Sequence, residues 1–168
     1  VQYHHAFLGG LLEHTLSVAK LGDLIAPLYP GLNRDLLICG IVLHDIGKIS
    51  ELCYEKSFHY SDEGQLIGHL ISGVLMVEEK AKQIDDFPKT LLDLLRHLIL
   101  SHHGEYEWGS PKLPMTLEAL TLHYLDNIDA KIHAFDKAIS SDKDSSDNWT
   151  NYNRMLERKL FKKSHEYV

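Results

Sequence analysis

Seven residues with metal-binding side chains recur along this chain: His14, His44, Asp45, His69, His102, His103 and Asp126. Neutral imidazole and carboxylate are the ordinary ligands of hydrolytic zinc, manganese or iron sites. Seven such groups exceed what one ion takes, whereas two ions sharing a carboxylate would use them all. The expected chemistry is that of a two-metal centre, in which a hydroxide generated between the ions is the nucleophile. No Ser or Cys nucleophile with a partner base is then required.

Each member of the series has its own alternative. His44-Asp45 falls at the end of an apolar run just before Gly47, where Asp45 could bridge two ions or the pair could simply face water. Lys48 follows directly, placed either to hold a phosphate oxygen or to complement a helix C-terminus. His14 in GGLLEHTLSVAKL and His69 in LIGHLISG read equally as ligands or as hydrogen-bonded core residues. His102-His103 before Gly104 is harder to explain by packing, because two neighbouring imidazoles at a helix end rarely serve packing alone. Asp126 lies in the apolar face of a helix, where a carboxylate needs a cation or several donors. Asp129 and His133 follow on the same side, and Asp129 could orient a histidine ligand or an attacking water. Trp108 could stack on a terminal base or anchor its loop. His4 and His5 precede the first helix, from which they could reach substrate. His59, His97, His123, His133 and His165 read as surface or hydrogen-bonded residues.

The elements that must position these groups are helical. The 168 residues suit one domain whose core needs no disulfides. Hydrophobic periodicity is that of helices throughout, with no convincing alternating strand, so the expected class is all-α. One helix spans Leu8–Leu28 and a second runs from Asn33, its N-cap, to Gly47. Ser61 caps a third, with Asp62 and Glu63 in its first turn. A fourth runs from Pro88 to His102, and a fifth from Pro114 to about Ile139. The division expected is a catalytic domain over 1–139, a polar linker over 140–149, and a C-terminal helix and tail over 150–168. Tyr152, Met155, Leu156 and Leu160 sit at helical spacing there, among Arg154, Arg158, Lys159, Lys162 and Lys163. That helix could dock with a solvated basic face, or contact RNA or another chain.

A net charge of −7 argues against a binder working through a broad basic surface, though bound divalent ions would make a cleft locally positive. No apolar run approaches the roughly 18 residues of a membrane span. Cys39 and Cys53 are too few for a disulfide framework, which points to the cytoplasm, and Cys39 in its apolar stretch reads as a buried thiol. The first residue is Val1 rather than Met, as expected of a fragment or processed form.

The order His14, His44-Asp45, Asp126 resembles the signature of the HD-domain superfamily of metal-dependent phosphohydrolases, and His69 with His102-His103 resembles its two-metal branch. The stretches HHAFLGGLLEHT, VLHDIGK, GHLISG, LSHHGEYEWGSPK and LHYLDNIDAK resemble the catalytic domain of YhaM-type bacterial 3′→5′ exoribonucleases, over most of Tyr3 to Ile139. Ser101–Lys112 is the most specific part, because EWGSPK has no generic metal-binding reason to be there. That family joins this domain to an N-terminal OB-fold, and no segment here reads as one.

The resemblance implies an HD-domain helical bundle of about five to seven helices. It also implies removal of nucleoside 5′-monophosphates from the 3′ end of single-stranded RNA or DNA, with no membrane partner. Two divalent metal ions are implied, manganese foremost, with iron, cobalt, nickel or zinc as alternatives. One ion would take His14, His44, Asp45 and Asp126, and the second would share Asp45 and take His69, His102 and His103. Catalytic roles fall to Asp45, Lys48 and Asp129, and substrate contacts to Lys48, Trp108 and His5. A homo-oligomer is compatible with the sequence. The same ligands would suit a cyclic-dinucleotide or nucleotide phosphohydrolase, and a diiron oxygenase is the alternative from another class.

Overall fold

The computed structural model describes residues 9–53, 59–142 and 147–165. Seven α-helices carry them: α1 Gly10–Ile25, α2 Arg34–Leu43, α3 Lys48–Glu51, α4 Asp62–Leu66, α5 His69–Ala81, α6 Lys89–Ser101 and α7 Leu117–Ser140. The architecture is all-α. One antiparallel pair, β1 Leu52–Cys53 with β2 His59–Tyr60, is too short to show an alternating pattern in sequence.

The helix starts follow local chemistry. The Asn33 side chain accepts from the Leu36 N–H at 3.1 Å, and the Ser61 hydroxyl accepts from the Gly64 N–H at 2.9 Å, so each occupies an N-terminal donor. Pro88 directly precedes α6, one residue outside the helix position expected for it. Apolar stripes at helical spacing then build the core: Val18 from α1, Leu37 and Ile41 from α2, Leu98 and Ile99 from α6, and Leu122 and Leu125 from α7. Full burial of one such side chain contributes roughly 1.5–3 kcal/mol. The stripes also carry polar passengers. His14 shares the buried face of α1 with Val18, and Asp126 follows Leu122 and Leu125 on α7.

The structure departs from expectation at four places. Helix α2 ends at Leu43, residues 44–47 form a turn, and Lys48 opens α3, so this lysine does not complement a helix C-terminus. The third expected helix is two, α4 and α5, separated at Gly68, which has φ 77°. Cys39 is exposed rather than buried, because it lies on the solvent side of α2. The helix expected after residue 150 is replaced by a hairpin with bridges Trp149–Phe161 and Asn153–Arg158, followed by a 3₁₀ turn at Lys162–His165. Local hydrogen bonding explains the hairpin. The Asn153 side chain accepts from the N–H groups of Met155 and Leu156 at 2.9 and 3.0 Å, and Glu157 sits at φ 53°.

Two compact units divide the chain, Val1–Asn127 and Ile128–Val168, with the division inside α7. No helix among the described residues is long and apolar enough to cross a membrane.

Candidate metal centre

All seven ligand candidates lie in the first unit and converge on one point. His14 comes from α1, His44 and Asp45 from the turn after α2, His69 from the first residue of α5, His102 and His103 from the end of α6, and Asp126 from α7. Three groups have ligand atoms within 4.8 Å of one another: His14, His44 and Asp126; His44, Asp45 and His102; and His69, His102 and His103.

Asp45 is the middle of this arrangement. Its carboxylate is 3% exposed, and the two oxygens face different ways. Oδ2 lies 3.4 Å from His44 Nε2 and 4.0 Å from His14 Nε2, while Oδ1 lies 3.7 Å from His69 Nε2 and 3.6 Å from His102 Nε2. Asp126 Oδ1 closes the first side, 3.1 Å from His14 Nε2. On the other side, His69 and His103 bring their Nε2 atoms within 3.3 Å. The turn that carries Asp45 is pressed against α5: a Cβ on Gly47 would fall 2.0 Å from the His69 carbonyl oxygen. Only glycine permits that approach.

Hydrogen bonds at the back of the rings fix which nitrogen faces inward. His44 Nδ1 donates to the Ile41 carbonyl and His102 Nδ1 to the Ile99 carbonyl, each at 2.7 Å. His69 Nδ1 donates to Glu51 Oε1 at 3.1 Å, and the same oxygen accepts from the His69 backbone N–H at 3.2 Å. A neutral ring that donates from Nδ1 presents a lone pair at Nε2. Lone pairs and carboxylate oxygens therefore meet in the centre, an electron-rich cluster that a cation fits.

The unsatisfied atoms give the same answer. Asp45 Oδ1 and His103 Nδ1 are buried with no hydrogen-bond partner among the described residues. An orphaned buried polar group costs ~1–3 kcal/mol, more when charged. The nitrogen and oxygen donors suit a divalent transition metal, which would occupy Asp45 Oδ1 and remove most of that cost.

Electrostatics distinguish the two sides. Burial opposes charge on Asp45 and Asp126, yet both stay well below the usual carboxylate range, Asp45 through His44 and Lys48 and Asp126 through its bond from His14. Burial also opposes charge on His44, but Asp45 more than offsets it and raises the imidazole. His102 is held well below its usual value by burial and then by His44. Burial, with His69 next, pushes His103 down to about 4.

These shifts predict an acid-sensitive metal-free protein. Between about pH 6.5 and 4 the unfolded chain binds a proton at residue 103 that the folded one refuses, so stability falls as pH falls. His102 acts in the same sense, and the depressed carboxylates extend the loss to lower pH. His44 opposes them, since its contribution is present at low pH and is lost as pH rises through its raised value. Chelator-treated protein should lose at most about 3 kcal/mol from His103 across this window. Urea unfolding at pH 6.5, 5.5 and 4.5 checks it, and a flat profile would refute the assignment.

The other sequence candidates take varied positions. Lys48 Nζ pairs with Asp45 Oδ2, with the side chain partly exposed. Trp108, in a 3₁₀ turn at Tyr106–Trp108, keeps nearly half its surface exposed while its ring lies 5.7 Å from that of His123. Asp129 belongs to the second unit, three residues beyond Asp126 on α7. His4 and His5 lie outside the described residues.

Two residues outside the seven hold ligand-bearing segments in place. Glu51, the last residue of α3, holds His69 by both ring and backbone. His123 is buried and donates from Nδ1 to the His102 carbonyl at 2.9 Å, fixing the main chain that carries two ligands. Gly104 makes room for it: φ is 82°, and a Cβ there would lie 2.1 Å from the His123 ring. No local signal marks Glu51, whereas His123 is the hydrogen-bonded residue that its setting suggested.

This helical fold and its clustered His and Asp side chains define a protein of the HD class, and residues 11–131 match the HD domain family, to which the chain belongs. Among curated proteins it is similar to the 3′-5′ exoribonuclease YhaM of Bacillus subtilis (strain 168), 48% identical over 136 residues. The enzymes of the same name from Shouchella clausii (strain KSM-K16) and Geobacillus sp. (strain WCH70) are 46% and 45% identical over the same length. Each match covers 81% of this chain and 42–43% of the relative, so the chain spans less than half the length of these proteins. No solved structure matches.

Proposed function

We propose that this chain is the catalytic part of a metal-dependent phosphodiesterase that removes nucleoside 5′-monophosphates from the 3′ end of single-stranded RNA. The observation that carries the reading is Asp45, a buried carboxylate with one oxygen toward each of two histidine groups and, among the described residues, no hydrogen bond on Oδ1. Relatives named as 3′-5′ exoribonucleases supply the substrate class.

His14, His44, Asp45 and Asp126 would hold one ion, and Asp45, His69, His102 and His103 the other. Manganese is the expected metal, with iron, cobalt, nickel and zinc compatible with the same donors. Bound ions supply Lewis acidity toward the phosphate and lower the pKa of water. The chain's own residues prepare that chemistry. Ile41, Ile99 and Glu51 hold three imidazoles with Nε2 inward. Lys48, beside Asp45 and partly exposed, holds a non-bridging phosphate oxygen. Trp108 offers its exposed face to the terminal base.

The test is incubation of manganese-loaded protein with 5′-labelled single-stranded RNA. A ladder shortened from the 3′ end, with 5′-monophosphates released, is the expected result. Cleavage of cyclic dinucleotides with RNA untouched would overturn the substrate. Oxygen consumption without phosphodiester cleavage would overturn the class.

Glu51 provides a narrower test of the metal geometry. A carboxylate behind a ligating histidine typically sets metal affinity by 10–100-fold. Glu51→Gln keeps the shape and one acceptor but loses the charge, so affinity should fall about tenfold, near the low end of that range. Competition against a chelating dye measures this, and unchanged affinity would show that Glu51 only packs.

A further inference from the structure

The hairpin Trp149–Phe161 of the second unit takes no part in the ligand cluster. Its two strands are joined by Thr150 N–H to Leu160 O at 2.9 Å and Asn153 N–H to Arg158 O at 3.0 Å. Burial alternates at its open end, over Trp149–Asn151 and Lys159–Phe161. Thr150 and Leu160 point inward and are 4% exposed each. Trp149, Asn151, Lys159 and Phe161 point the other way and are exposed.

That outward face combines two chemistries. The Trp149 and Phe161 rings meet edge to face with centroids 5.2 Å apart, yet Trp149 remains 48% and Phe161 41% exposed. Two adjoining exposed aromatic rings form a contiguous apolar patch of the kind that marks an interaction surface. The same segment is rich in cations. From Asn148 to His165 the chain carries five Lys or Arg and one Glu, in a protein of net charge −7. Arg154 and Lys159 are exposed and form no ion pair among the described residues, while Arg158 is steered by its own Nε–H bond to Leu156 O at 2.8 Å.

We infer that this hairpin is a contact surface for single-stranded RNA, with Trp149 and Phe161 stacking on bases and Arg154, Arg158 and Lys159 holding phosphates. Aromatic platforms flanked by cations bind single strands without reading sequence, because every base has a π face. Three exposed cations, Arg154, Arg158 and Lys159, on a chain of net charge −7 favour a polyanion over a protein partner. The inference rests on the proposed RNA substrate.

Kinetics of the manganese-loaded chain on a labelled RNA 12-mer, alongside bis(p-nitrophenyl) phosphate, separate the two. Trp149→Ala should raise KM for RNA about tenfold, with kcat and the small-substrate rate unchanged. The double variant Arg154→Gln, Lys159→Gln removes no buried contact and guards against a misfolded hairpin. It should raise KM and lower the slope of log KM against log salt by about 1.4, from roughly 0.7 per phosphate contact. RNA cleavage with KM and salt slope unchanged in both variants would overturn the inference alone. Hydrolysis of the small diester by the unaltered chain, with RNA neither bound nor cleaved, would overturn the RNA reading and the inference with it.

Discussion

Asp45→Asn should abolish hydrolysis while leaving the fold in place. Asparagine matches the carboxylate in shape but cannot neutralise a cation, and both proposed ions depend on this one residue. Loss of several kcal/mol of charge stabilisation translates to roughly 10³-fold or more in rate. Bound metal should fall from two ions per chain to one or none. The folding cost should be smaller, because two effects oppose. The charge that desolvation penalises disappears, while Lys48 and His44 lose their partner. Metal content by elemental analysis, single-turnover RNA cleavage and the urea midpoint separate these outcomes. Full metal content in Asp45→Asn would remove the bridging role, and full activity would show that Asp45 takes no part in hydrolysis.

The legible and illegible parts of this site differ for a physical reason. His14 and Asp126 could be found because each interrupts an apolar stripe whose period is set by the helix it sits on. His44, Asp45, His102 and His103 could be found because polar pairs at the end of an apolar helix need partners if buried. Glu51 could not, since its contact with His69 bridges two helices and depends on the turn at 44–47 and on β1–β2, features too short to leave a period. The C-terminal hairpin is hidden for the opposite reason. Tyr152, Met155, Leu156 and Leu160 imitate a helical stripe over barely two turns, and a stripe that short is outweighed by the Asn153 side chain capturing two backbone donors. The fold class survived because long helices dominate it. The substrate rests on similarity rather than on ligand geometry, since the same donors serve several phosphoesters.

Gly47→Ala should be the most destabilising small change in the site, although it adds one methyl group. The cause is not backbone strain, because Gly47 is not among the residues with positive φ. It is the approach of the turn to α5. The new Cβ would lie 2.0 Å from His69 O and 2.7 Å from Gly73 N, both backbone atoms that no rotamer change can clear. Ordinary overpacking costs ~1–3 kcal/mol; a clash with main chain on a buried turn should reach about 4 kcal/mol or more. Moving the turn outward would also separate Asp45 from His69, so metal binding should weaken even in the molecules that fold. Gly73→Ala is the control on the opposite wall. Its Cβ would make only ordinary contacts, the nearest 3.4 Å from Ile99, and it removes a glycine from the interior of α5. That variant should be neutral or gain up to ~1 kcal/mol from helix propensity. Urea midpoints for the pair, with metal and with chelator, decide it: Gly47→Ala within 1 kcal/mol of the unaltered protein would mean that the turn is not clamped against α5.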